Sequence, residues 1–166
     1  INVLQLLEYE FAERYLGTLD YYGVETSEIT LEITEQTLIE NFKNTKKVIS
    51  HLQDNGVRFA IDDFGVGYSS LSYLQNLSLD AIKIDKSFVL NIENKISDIS
   101  LIKTIFHIAQ QFNYTLVIEG IENEKQKDIL YNLDNSLVYQ GFYFSKPIPK
   151  ELFATKYLDI KSTRVS

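Results

Sequence analysis

The chain has no cysteine, no methionine and no tryptophan, and only two prolines, seven glycines and two histidines among 166 residues. Without cysteine there are no disulfides, no thiolate nucleophile and no Cys-based zinc site. So little proline and glycine excludes a collagen-like or linker-rich chain. Long apolar runs are missing too. None approaches the roughly 20 residues of a membrane helix, and no basic-then-apolar leader opens the sequence. Positive charge is in deficit: 16 Lys and Arg stand against 23 Asp and Glu, a net charge of −7. No broad surface of this chain can neutralise a nucleic-acid backbone, so DNA is not expected as a partner. A small phosphate ligand is still allowed, because a metal ion can supply the missing charge. What is present is ordinary globular composition, 45% hydrophobic and 23% charged, at a length suited to one core. The expected location is the cytoplasm, with no membrane contact by this chain. Ile1 in place of an initiator methionine reads as part of a longer protein, which can carry its own membrane anchor.

The hydrophobic pattern switches repeatedly between two periods. Ile29 to Thr34 alternates strictly, placing Ile29, Leu31 and Ile33 on one face and Thr30, Glu32 and Thr34 on the other. Val57–Asp63, Ala81–Asp85, Thr115–Ile121 and Val138–Phe144 also read as strands, and Ile1-Asn2-Val3 as the clipped end of another. Between them lie helical patterns: the stretch after Gln5, Phe42 to Asn55 stopped by Gly56, Ile99 to Phe112, and Glu124 to Leu133. Six strands alternating with helices predict a mainly parallel sheet, either open and doubly wound or closed into a barrel.

The polar residues decide between the two. Asn2, Glu32, Asp62, Lys83, Glu119 and Gln140 each fall at or near the C-terminal end of a strand, about one βα unit apart. Lys83 and Asp85 share a strand face whose opposite side is Ile82 and Ile84. Charge on a strand covered on both faces is costly unless it lines a site. Successive strands offering polar groups at one end describe the mouth of a barrel. The expected fold is therefore α/β, a TIM-like (β/α) barrel of which this chain lacks the first strand or strands. Residues 1–158 form the domain and 159–166 a loosely held tail.

The richest stretch runs from Phe59 to Leu71, where Asp62-Asp63 ends an apolar strand and Gly65 and Gly67 follow. Adjacent aspartates point in different directions, so each can ligate a different metal of a close pair. Glu32 and Glu119 add carboxylates, and Asn2 adds an amide oxygen. These hard oxygen ligands suit Mg²⁺ or Mn²⁺ and not zinc. Two such metals, about 3.5–4 Å apart, stabilise the attacking and leaving oxygens of a phosphodiester displacement.

These residues resemble the EAL domain, the cyclic di-GMP phosphodiesterase family. Leu31-Glu32-Ile33-Thr34-Glu35 resembles its E-hydrophobic-T-E motif, and Asp62 to Leu71 its D-D-F-G-T-G-Y-S-S-L. Ile82-Lys83-Ile84-Asp85-Lys86-Ser87-Phe88 is similar to K-I-D-x-S-F, and Glu119-Gly120-Ile121-Glu122 to E-G-V-E. Gln140 to Pro147 is similar to Q-G-Y-x-F-S-x-P, and Ile1-Asn2-Val3 to a V-N strand. The resemblance implies hydrolysis of cyclic di-GMP to linear pGpG with two metals. Asn2, Glu32, Asp62, Asp63 and Glu119 would hold them. Glu119 would also deprotonate or orient the attacking water, with Lys83 beside it. Glu35 would fix the Asp62–Leu71 loop, through which a homodimer would form. Asp85, Glu122 and Gln140 would position water or substrate, and a GGDEF or sensor domain could accompany this one in the parent protein.

There are departures. The family's naming motif, a glutamate followed by leucine and an arginine, belongs before Asn2 and is not in this chain. Leu4-Gln5 directly follows Val3 where the family continues Ser-x-x-Gln. Val66 stands where the family has threonine, Ile118 for alanine, and Asn123 for threonine. These favour a second reading, an EAL-like module that binds cyclic di-GMP or a protein without hydrolysing anything. A third is a glycosidase with Glu32 and Glu119 as its acid/base pair, which Asp62-Asp63 and Lys83 fit less well. Plainer readings also stand. Asp62-Asp63 before glycine suits a simple turn. Glu35 and Glu122 suit helix N-termini, and Gln140 a hydrogen bond in the barrel interior.

Overall fold

The structure, a computed structural model, describes residues 1–66 and 74–158. Its short opening helix α1 (Val3–Leu6) and α2 (Phe11–Tyr22) lead to β1 (Thr30–Thr34). Then come α3 (Glu35–Glu40), α4 (Phe42–Asp54), β2 (Arg58–Phe64) and β3 (Ala81–Ile84). A 3₁₀ turn (Lys86–Phe88) precedes α5 (Ile96–Phe112), β4 (Thr115–Ile118), α6 (Glu124–Tyr131), β5 (Val138–Tyr139) and α7 (Lys150–Phe153). The five strands form one sheet in the order β1-β2-β3-β4-β5, every pairing parallel. Residues 67–71 of the glycine-containing loop and the 159–166 tail lie outside the described residues.

The core forms where helix stripes meet strand faces. Ile33, Phe59, Ile61, Ile82, Ile84 and Ile118 are buried from the sheet, joined by Ile49 and Leu52 of α4 and Ile102 and Ile105 of α5. In α5, Ile102, Ile105 and Ala109 repeat at helical spacing on the buried side. Helix α4 ends as its sequence predicts. Gly56 takes φ +89°, its N–H donates to Gln53 O at 2.8 Å, and Val57 N–H reaches back to Leu52 O at 3.1 Å. That pair of reverse bonds needs the left-handed conformation glycine supplies.

Three expectations are corrected. Ile1-Asn2-Val3 is not a strand. The Ile1 ammonium donates to Glu32 O at 2.6 Å, but Asn2 then caps α1, accepting from Gln5 N–H at 2.9 Å while Gln5 Oε1 accepts from Asn2 N–H at 3.3 Å. This reciprocal cap turns the chain into a helix. Thr115–Ile121 is strand only to Ile118, because Gly120 at φ +75° bends the chain away. Val138–Phe144 shortens to two residues, since Phe144 N–H turns back to Gly141 O at 3.1 Å. Five strands result among the described residues instead of six.

Tyr114, at the entry to β4, ties in the segment that follows the undescribed loop. Its hydroxyl lies 2.9 Å from Leu74 O and 2.7 Å from Leu77 O. Tyr114→Phe removes this half-buried link and leaves a carbonyl short of its donor. The expected loss is about 1–2 kcal/mol, read as a lower urea midpoint at unchanged slope. A midpoint equal to the parent protein's would refute that role. Among the described residues, no helix is long and apolar enough to cross a membrane.

Candidate active site

The strand ends place four of the predicted residues together. Parallel register sets Thr34 opposite Asp62, and Lys83 opposite Val117 just before the end of β4. Glu32, Asp62 and Glu119 therefore approach the same space from β1, β2 and the residue after β4, with Lys83 between them. Lys83 Nζ is 2.6 Å from Glu119 Oε1, 2.7 Å from Glu32 Oε1 and 3.5 Å from Asp62 Oδ1. The lysine side chain is 8% exposed, and its strand neighbours Ile82 and Ile84 are fully buried on the other face.

Burial alone would lower the Lys83 pKa. The hydrogen-bonded carboxylates of Glu119 and Glu32, with the charges of Glu119 and Asp62, outweigh it and hold the ammonium well above the ordinary lysine value. The carboxylates around it thus favour the charged form of the lysine.

The neighbouring carboxylates divide into different environments. Asp63 adopts φ +54°, a left-handed conformation that aspartate tolerates better than most residues. This turns it away from Asp62, whose Oδ1 accepts the Asp63 N–H at 3.1 Å. Burial, then the negative charges of Asp62 and Asp85, push the Asp63 carboxyl above its usual range. A group so placed gains from a nearby cation. Asp85 goes the opposite way. Burial would raise it, but its hydrogen bonds from Ser87 and Lys86 hold it below the usual range. Its Oδ1 accepts Ser87 N–H at 2.9 Å and caps the 3₁₀ turn.

Glu35, the first residue of α3, is buried. Its Oε2 lies 3.4 Å from Gly65 N, at the start of the loop it is expected to fix. Its Oε1 is buried without a hydrogen-bond partner among the described residues. The remaining predicted residues are engaged elsewhere. Asn2 spends its side-chain oxygen on the α1 cap. Glu122 is exposed, and its backbone N–H donates to Gln126 Oε1 at 2.8 Å. Gln140 is exposed, and its backbone stitches β5 to β4 through Ile118 O at 2.9 Å and Ile121 N at 3.2 Å. The sequence reading missed the cap of α6, in which Asn123 Oδ1 accepts Gln126 N–H at 3.0 Å. The Asn-x-x-Gln spacing was its signal.

Among the described residues, no three acidic or histidine side chains are already arranged to hold a metal ion. The donor chemistry nevertheless fits Mg²⁺ or Mn²⁺. Three carboxylate oxygens, from β1, β2 and the residue after β4, lie within 3.5 Å of one cationic atom, all hard ligands with no histidine among them.

Residues 1–147 match the EAL domain family. A curated relative, the cyclic di-GMP phosphodiesterase NbdA of Pseudomonas aeruginosa, is 39% identical over 131 residues, 79% of this chain and 17% of NbdA. The chain spans about a fifth of the length of the curated relatives it matches. Among solved structures, the EAL domain of Mycobacterium smegmatis DcpA superposes with a TM-score of 0.88 at 33% identity, covering 96% of this chain and 71% of that one. The manganese and cyclic di-GMP complex of Klebsiella pneumoniae BlrP1 gives a TM-score of 0.80 at 28% identity, over 86% of this chain and 36% of that one. The expected TIM-like (β/α) barrel class is borne out by these likenesses, the five parallel strands forming part of such a barrel. With the family matched over nearly its whole length and the fold shared with a solved member, the chain belongs to the EAL domain family.

Proposed function

We propose that this domain hydrolyses cyclic di-GMP to linear pGpG in bacterial signalling, using divalent cations. The observation that carries the reading is the Lys83 centre, where carboxylates from β1, β2 and the residue after β4 meet one buried ammonium on β3. The family match and the activity named for NbdA supply the substrate. Glu32, Asp62, Asp63 and Glu119 would hold Mg²⁺ or Mn²⁺, two in the intact domain, joined by Asn2 when its side-chain oxygen is released from the α1 cap. Bound there, the cations stabilise negative charge on the phosphate oxygens and on the leaving oxygen.

The chain's own groups do the rest. Glu119 accepts the proton of the attacking water as its oxygen bonds to phosphorus. One ester bond to a 3′-oxygen breaks, that oxygen takes up a proton, and the opened dinucleotide keeps a 5′-phosphate. Lys83 holds Glu119 and Glu32 in place and offsets the charge gathering at the phosphate. Glu35 fixes Gly65 at the start of the loop that follows Asp62-Asp63. Asp85, Glu122 and Gln140 position water or substrate at the rim. A second copy contacting the Asp62–Leu71 loop, a GGDEF or sensor domain in the parent protein, and a cytoplasmic location complete the reading.

The test uses the full-length protein with cyclic di-GMP and either Mg²⁺ or Mn²⁺, following pGpG by chromatography. Turnover should appear with metal and vanish on chelation, by at least about 10²-fold. Binding of cyclic di-GMP without any pGpG would overturn hydrolysis in favour of the non-catalytic reading. Turnover that survives chelation would overturn the metal assignment.

A further inference from the structure

Glu119 sits in a short segment between two neighbouring strand ends. On one side its N–H donates to Ile84 O at 3.2 Å, and the next residue, Gly120, packs directly against Lys86. A Cβ on Gly120 would overlap that residue's Cβ and crowd its Cα. On the other side, Ile121 N–H donates to Gln140 O at 3.2 Å and Tyr143 N–H to Ile121 O at 2.9 Å. Gly141 lies so close that a Cβ there would overlap the Ile121 backbone. These contacts, with the fully buried side chains of Ile118 and Ile121, hold the segment against both neighbouring strand ends.

Gln126 adds a link between the two loops themselves. It is 3% exposed, although it belongs to the first turn of a helix on the surface of the sheet. Its Oε1 accepts two amides, Glu122 N–H at 2.8 Å and Asn123 N–H at 3.3 Å. A capping glutamine needs only the second of these. Its Nε2 then donates to Val89 O at 3.3 Å, a buried carbonyl 37 residues away in the loop that follows Lys83 and Asp85. One side chain therefore spans the loop after β3, which begins two residues beyond Lys83, and the loop after β4, which begins with Glu119.

We propose that Gln126 is a positioning residue that holds Glu119 in register with Lys83. The inference rests on the hydrolytic reading for its kinetic consequence, while its structural content stands apart from it. The amide is required because a single group must accept from one loop and donate to the other. Glutamate could keep the cap but would set a carboxylate oxygen against the Val89 carbonyl. Displacing a reacting group by about 1 Å can cost on the order of 100-fold in rate.

Two variants of the full-length protein separate positioning from simple helix capping. Gln126→Leu removes the bridge, whereas Asn123→Ala removes only the reciprocal cap. For Gln126→Leu, kcat should fall about ten- to hundredfold with KM for cyclic di-GMP within about twofold. Gln126→Glu should fall between it and the parent, and Asn123→Ala should retain the parent kcat. Equal losses in Gln126→Leu and Asn123→Ala, or an unchanged kcat in folded Gln126→Leu, overturn the proposal. Amide hydrogen exchange gives a readout independent of turnover. Exchange across residues 119–122 should quicken in Gln126→Leu and not in Asn123→Ala. A parent protein without activity would sink the hydrolytic reading, and the exchange result would still decide the role of Gln126. Exchange unchanged in Gln126→Leu refutes it.

Discussion

Lys83→Met is expected to cost both activity and stability, and to cost stability chiefly when divalent metal is absent. The ammonium is the common partner of Glu119, Glu32 and Asp62. Removing it leaves three carboxylates facing one another beside a buried strand. Breaking a well-buried ion pair from one side costs about 3–5 kcal/mol. Glu32 is 45% exposed and partly screened by water, which places this loss near about 3 kcal/mol. Turnover should fall by about 10²–10⁴. Millimolar Mn²⁺ should then restore thermal stability to the variant more than to the parent, because a cation bound by the folded state replaces the missing charge. Calorimetry with and without metal checks this. A variant as stable as the parent in chelator would refute the idea that the lysine holds the centre together.

The pH dependence of that contribution has a defined sign. The Lys83 pKa is raised in the folded protein, so its stabilising effect is complete below the unfolded lysine value of about 10.4. It is lost only as pH climbs above that value towards the higher folded pKa. Between neutrality and about pH 9 the lysine contributes almost no slope to stability.

Glu119→Gln should abolish turnover while preserving the fold, a loss of about 10³-fold or more. Glutamine keeps the shape and can still face Lys83 with its carbonyl oxygen. It cannot accept the proton of water, and it is a weaker ligand for a hard cation. General-base loss alone accounts for about 10²–10⁴. Cyclic di-GMP should still bind, which calorimetric titration of the variant would show. Turnover within tenfold of the parent would remove Glu119 from its proposed place as base.

Much of this architecture was legible in the sequence because it rests on periodicity. The strict alternation at Ile29–Thr34 and the helical repeat of Ile102, Ile105 and Ala109 each specify a face; the helical face is buried, while on the strand Ile33 is buried and Ile29 and Leu31 are half-buried. The joining of Glu32, Asp62, Lys83 and Glu119 was legible too, since parallel strands in chain order bring their C-terminal ends together. Short segments were not. Asn2 reads as a strand residue from its apolar neighbours, yet a single reciprocal cap with Gln5 decides its conformation. Gly120 and Gly141 end their strands through close backbone approaches that no pattern of hydrophobicity records. Gln126 was invisible as anything beyond a cap, because its second bond reaches a residue far away in the chain.

The sheet's order, with each strand beside its predecessor in sequence, also governs how charge accumulates during folding. Each pairing joins strands that are neighbours in chain order, and the entropic cost of closing such a loop grows only slowly with its length. The rim groups then arrive along the chain as Glu32, Asp62, Lys83 and Glu119. Of the described strands, the two that precede β3 in the chain, β1 and β2, carry two of the anions that meet the lysine. The least tolerable event in such a barrel is a desolvated ammonium with no partner. Chain order places two of its carboxylate partners, Glu32 and Asp62, ahead of Lys83 and the third, Glu119, after it.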